Sequence, residues 1–189
     1  ENDAFDNFIH ISTGITPVHT VLQVGHAGGT FVRTIMKWDL TSFSTRATRI
    51  ISAKLTLTEH TDQVTTEQTV RGYRITEGDM TESATWTTYD GSTSWATAGG
   101  DYTTTPEASA TVASTGGNLE MEDAGFIALV QDAVDNRNGY LSILLATQEE
   151  LDGDDTGTER MKYHSSNAAN SLYHPKLEIT YEHVVHWTG

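Results

Sequence analysis

Between Asp152 and Glu159 the chain reads Asp-Gly-Asp-Asp-Thr-Gly-Thr-Glu. Carboxylates and hydroxyls at alternate positions of a loop can wrap a hard, oxygen-seeking cation such as Ca2+. Asp152, Asp154, Asp155 and Glu159 are the candidate ligands, and Ca2+ is the candidate cofactor. The pattern is not an EF-hand, because Tyr163 stands where the closing glutamate belongs and no helix pair flanks the loop. The bland alternative is a bare acidic turn. A second constellation is aromatic: Tyr89, Trp95 and Tyr102 lie in a segment otherwise built of Gly, Thr, Ser and Asp. Sugars present apolar C–H faces that stack on rings and hydroxyls that bond polar neighbours, so these residues are candidate glycan contacts. The competing role is to anchor a long loop. Trp86 is assigned to the core.

Catalytic chemistry finds little support. No Gly-x-Ser-x-Gly elbow is present. Paired carboxylates for glycoside cleavage depend on spatial separation and have no motif here. His183 and His186 are three apart in an alternating strand and point to opposite faces, which does not suit a shared metal. Arg71, Arg74, Arg160 and Lys162 are scarce cations on strands, expected to pair with the surrounding carboxylates. The reading is therefore a non-enzyme.

The elements that must position these residues are strands. A chain of 189 residues, rich in Thr and Ser and holding 3 prolines, suits one β-rich domain over 1–189. The formal charge of −15 repels phosphate backbones and argues against nucleic-acid binding. No apolar run approaches the roughly 20 residues of a membrane helix, so no membrane insertion is expected. There is no cysteine, hence no disulfide and no thiolate site. No signal peptide is visible before the processed-looking start at Glu1, and an excised module of a longer protein reads the same way.

Strands are predicted at Phe5–Ile11, His19–Val24, Thr30–Leu40, Ile51–Leu57, Val70–Ile75 and Tyr140–Ala146, with two more closing the chain after Arg160 and Pro175. Gly25–Gly29 reads as a turn. In Thr30–Leu40, Phe31, Ile35 and Trp38 are placed on one face, with two-sided burial or a bulge near Ile35–Met36. Ile51, Ala53, Leu55 and Leu57 alternate with polar residues and are assigned to the core, as are Ile143, Leu145, Leu177 and Ile179. A long loop spans 76–117 and either serves function or hides short strands. One helix is predicted at about 123–135, with Phe126, Leu129, Val130, Ala133 and Val134 on one face, Asp123 as its cap and Asn138 or Gly139 ending it. Residues 182–189 form an edge strand or tail.

Several short patterns then fall in a familiar order. Trp38-Asp39-Leu40 ends a strand and Ser52-Ala53-Lys54-Leu55 opens the next. Ala84-Thr85-Trp86 follows in the loop, then the helix and strand of Phe126–Leu145, and the closing run from Met161 to Tyr181. Over roughly nine-tenths of the chain this resembles the DNRLRE family, with His174 where an Arg is usual. The resemblance implies an all-β, antiparallel jelly-roll-like sandwich of the carbohydrate-binding-module kind, with a non-catalytic role. It implies an extracellular, cell-surface or virion location and binding of a polysaccharide or host-surface glycan. The alternative is a structural or decoration protein of a virion, fibre or cell-surface layer, which assembles with itself or with other structural proteins and takes no sugar.

Overall fold

The computed structural model describes residues 4–10, 19–27, 29–44, 48–62, 64–77, 80–105, 107–153 and 158–183. The described elements are β1 (Ala4–His10), β2 (Val21–Ala27), β3 (Thr30–Asp39), α1 (Thr41–Ser44), β4 (Thr48–Leu57), β5 (Glu59–Asp62), β6 (Gln68–Arg74), β7 (Ala108–Val112), β8 (Leu119–Met121), α2 (Ala124–Asn136), β9 (Tyr140–Thr147), α3 (Gln148–Asp152), β10 (Thr158–His164), a 3-10 turn (Ser171–Tyr173) and β11 (Lys176–His183). The fold is an all-β antiparallel sandwich. A larger sheet runs β5-β10-β2-β3-β9-β6-β7, with β1 added on β3, and a smaller one runs β11-β4-β8.

The larger sheet is buried on both faces, which explains its near-continuous apolar strands. On β9, Leu141, Ile143 and Leu145 join Met36 and Trp38 of β3 in the core shared with the smaller sheet, while Leu144 and Ala146 join Ile35 on the other side. The two-sided burial expected near Ile35–Met36 is thus present. The period of two corrects one placement, since Trp38 lies on the face opposite Ile35.

The helix α2 closes the first core with Phe126, Leu129, Val130, Ala133 and Val134. Its start is fixed by Asp123, whose Oδ1 accepts from the Phe126 N–H at 2.8 Å. Past its end, Asn138 and Gly139 both take positive φ. A Cβ on Gly139 would come within 2.6 Å of Thr41 backbone, so only glycine fits this approach. Gln131 reaches β4, accepting from the Ile50 N–H at 2.7 Å and donating to the Thr48 carbonyl at 3.0 Å.

Three further expectations are corrected and one is met. Ile51 is 46 % exposed, because the β4–β11 register shifts between Ser52 and Ile50 and leaves Ile51 as the extra residue of a bulge; Ile50 takes the core position. Gly25 lies within β2 rather than in a turn, close against the Glu159 carbonyl of β10. The 76–117 segment does hide a short strand, β7, as one of its two expected outcomes; the short β5 and β8 lacked strong alternation to announce them. Leu177 and Ile179 pack on the core but stay half-buried, since β11 is an edge strand with β4 as its one described neighbour. Residues 184–189 lie outside the described residues. No described helix is long and apolar enough to cross a membrane.

Candidate functional site: the loop-covered face

The second face of the larger sheet is covered by residues 80–105, and polar side chains build that cover. Asp90 accepts from the Ser92 and Thr93 N–H groups at 2.7 and 2.5 Å, and these bonds hold its carboxyl far below the ordinary range. Asp101 accepts from the Ala96 and Thr97 N–H groups at 2.7 and 2.8 Å. The Asn7 side chain on β1 donates to the Glu82 and Ala84 carbonyls, tying the cover to the sheet. The Asp and Thr residues that gave this loop its polar look are therefore its turn-makers.

The aromatic candidates separate. Trp95 is 5 % exposed; its ring packs with Ile9, Ile35, Met80 and Leu144, and its indole N–H donates to the Thr85 carbonyl at 2.9 Å. A ring so enclosed offers no face for stacking, and Trp95 is an anchor rather than a platform. Tyr89 leans edge-on against it at 5.7 Å and is half-buried. Trp86, assigned to the core, is partly buried against the same cluster. Tyr102 is half-buried beside Tyr73, with ring centroids 5.0 Å apart, and borders an open cleft of about 610 Å³ with Thr76, Thr97, Asp101 and Thr104.

Arg33 of β3 holds the cover down from beneath. Its guanidinium lies 4.9 Å from the Trp86 ring and 5.2 Å from the Tyr102 ring. It donates to the Gly99 carbonyl at 2.6 Å and, through Nε and Nη2, to Glu150 Oε1 at 2.8 and 2.7 Å. The Glu150 side chain is 3 % exposed; burial pushes its carboxyl up while Arg33 opposes the shift.

Past the edge of the cover stands Tyr140, which opens the strand expected over Tyr140–Ala146. It is the first residue of β9, on the face of Ser142 and Leu144, and is 41 % exposed. Lys37 Nζ lies 5.0 Å from its ring centroid. On one side is a cleft of about 580 Å³ lined by Lys37, Glu77, Asn136, Arg137, Asn138 and Ser142. On the other is one of about 360 Å³ lined by Phe5, Asp39, Met80, Thr81 and Glu82. The available signal was its position: a ring directly after an Asn-Arg-Asn-Gly turn meets the rim of a sheet before its middle.

The acidic segment is divided. Asp152 is exposed and its Oδ1 accepts from Gln148 Nε2 at 3.0 Å. Glu159 is buried and fully engaged, taking the Thr65 N–H at 2.8 Å and the Thr65 hydroxyl at 2.5 Å. This use as a backbone clamp for residues 64–66 withdraws Glu159 from the expected ligand set. Asp154 and Asp155 lie outside the described residues. Among the described residues no group of three His, Asp or Glu side chains is disposed to hold a metal. Among the described residues, the buried oxygens Glu149 Oε2, Glu150 Oε2 and Gln68 Oε1 have no hydrogen-bond partner. Of the strand cations, Arg74 meets the Asp132 carboxylate at 3.0 Å as expected, whereas Arg71 donates to the neutral Gln148 amide oxygen at 2.7 Å.

Compared with known proteins, the chain matches no family model and no curated protein.

Proposed function

We propose that this chain is a non-catalytic surface module that binds an extended glycan along the rim of the loop-covered face. One observation carries the reading: the exposed Tyr140 ring stands between two clefts whose walls carry amide, hydroxyl and ionic side chains. That combination suits a sugar ring, which needs one apolar platform and several directional partners. The Tyr102 cleft extends the same surface, since Ile75 lines one cleft and its neighbour Thr76 the other. A polymer spanning several such sites fits better than a single monosaccharide. The DNRLRE resemblance and an extracellular or virion-surface location belong to this proposal. A bound Ca2+ is a subordinate part of it, supported by the unpartnered Glu149 and Glu150 oxygens on α3 immediately before the acidic segment. A rise in melting temperature at millimolar Ca2+, reversed by chelator, tests that part.

The experiment for the main reading is a polysaccharide array followed by calorimetry with Tyr140→Ala. Loss of tenfold or more in affinity, with the melting temperature unchanged, is the expected result. A second reading, a structural or decoration protein with no sugar ligand, is favoured by the burial of Trp95, which leaves the loop aromatics committed to anchoring. An array silent for the wild-type chain would select it.

A further inference from the structure

β11 is the longest free edge of this molecule among the described residues. It runs eight residues, against seven in β1, which pairs with β3 alone, four in β5, five in β7 and three in β8. A bare edge presents unpaired N–H and C=O groups, and proteins usually blunt such edges with proline, a bulge or an inward charge. β11 has no proline or bulge along its length, since Pro175 precedes it and the bulge at Ile51 falls on β4, the partner strand; its guard is the exposed charge of Lys176, Glu178 and Glu182. Its core-facing row is Leu177, Ile179, Tyr181 and His183, of which the first two are only half-buried and Tyr181 is 44 % exposed. Its outer row is Lys176, Glu178, Thr180 and Glu182.

We infer that β11 pairs antiparallel with β11 of a second copy of this chain, about a two-fold axis at Ile179, joining two three-stranded sheets into one of six. The charge pattern selects both the occupant and the register. With Ile179 opposite its own mate, Lys176 faces Glu182, Glu178 faces Thr180 and Leu177 faces Tyr181; within one copy Lys176 meets Glu178 at 2.9 Å and Glu182 meets Arg49 at 3.2 Å, exposed pairs that the cross-copy pair joins or replaces. Opposite charges and apolar pairs across a ladder stabilise it. Slipping two residues one way sets Glu178 opposite Glu178, and slipping two the other way sets Glu178 opposite Glu182. A one-residue slip turns the apolar row to solvent. Among these registers only the Ile179-centred one avoids both faults while pairing the whole strand, and it is self-complementary as a two-fold interface requires. The −15 charge of each copy opposes association at long range, but at about 0.15 M salt the Debye length is about 8 Å, so contacts at the edge dominate.

Three variants of the full chain test this in sedimentation-velocity experiments up to about 0.2 mM. The wild type is expected to show a dimer fraction that grows with concentration. Glu182→Lys, at an exposed site, should weaken it tenfold or more. The exchange Lys176→Glu with Glu182→Lys should restore it to within about threefold of wild type. Because the chain has no cysteine, Ile179→Cys gives a single thiol, and paired Cβ atoms about 4.5–5.5 Å apart should be bridged into a covalent dimer by a short thiol-reactive bifunctional reagent. A wild type that stays monomeric overturns the inference. So does a dimer that ignores Glu182→Lys, or one that yields no Ile179→Cys cross-link, since the copies then meet elsewhere.

Discussion

The two faces of the larger sheet are sealed in different ways. On one face the seal is regular: α2 and the smaller sheet bring periodic apolar residues, and the resulting core is made of Leu, Val, Ile, Ala and Met with a few large rings. On the other face the seal is irregular. Residues 80–105 hold themselves by Asp and Thr turns and are pinned by Trp95, the Arg33–Glu150 pair and the Asn7 amide. Regular elements satisfy their own backbone and need only apolar area to dock. An irregular loop carries backbone groups that need partners, so its anchors are polar or amphipathic. Clefts open where those anchors stop, and Tyr102 and Tyr140 stand there.

The largest expected effects compare the two seals directly. Phe126→Ala on the helix side and Trp95→Ala on the loop side should each cost about 3–5 kcal/mol in denaturant unfolding. They should differ in hydrogen exchange: Phe126→Ala accelerates exchange across both sheets, whereas Trp95→Ala releases residues 80–105 while β3 and β9 stay protected. Whole-sheet opening in the Trp95 variant would show one cooperative unit and break the comparison.

Removing one partner of a buried ion pair strands the other, so Arg33→Met should destabilise by about 3–5 kcal/mol. Adding Glu150→Leu should recover most of that loss, because the uncompensated charge is then gone as well. A double variant as unstable as the single one would assign the cost to Arg33 stacking on Trp86 and Tyr102 instead.

Asp6 sharpens the contrast by pH. It lies in β1, buried, and accepts from the Ser166 N–H and hydroxyl at 2.8 and 3.1 Å; burial outweighs these bonds and pushes its carboxyl up to about 6. A carboxyl raised in the fold favours the protonated state there, so its contribution is full below pH 4 and is lost as pH rises toward 6 and beyond. The wild type should lose on the order of 2–3 kcal/mol relative to Asp6→Asn between pH 4 and 7. His10 and His164, held low chiefly by burial, act in the opposite sense in both proteins, so the difference reports Asp6 together with its charge coupling to His174 and Glu82. A flat difference from pH 4 to 7 would place Asp6 in water.

The smallest effect is expected at the rim. Tyr140→Ala should change stability by no more than about 0.5 kcal/mol, because a surface ring leaves no cavity when trimmed. A loss above about 2 kcal/mol in thermal unfolding would make Tyr140 a further anchor and remove it as the platform of the loop-covered face.

Sequence by itself determined whatever repeats with a period. The alternation of Leu55, Leu57, Ile143 and Leu145 placed them in the core, where each is fully buried. The spacing from Phe126 to Val134, with Asp123 before it and Asn138-Gly139 after, marked the helix and both its ends. These features are local, and each is set by the pleat or the helical turn alone. Tertiary structure decided the rest. Only the pairing of β4 with β11 sets the bulge that moves Ile51 out and Ile50 in. Only the position of β11 at an edge leaves Leu177 and Ile179 half-covered. Trp95 and Tyr140 show the same dependence in opposite senses. A tryptophan in a Thr/Ser/Gly loop is folded inward because the loop must bury something to stay on the sheet. A tyrosine in a strand is left outside because the cover ends before it arrives. Neither outcome is written in the neighbouring residues, since exposure is set by what the distant chain places on top.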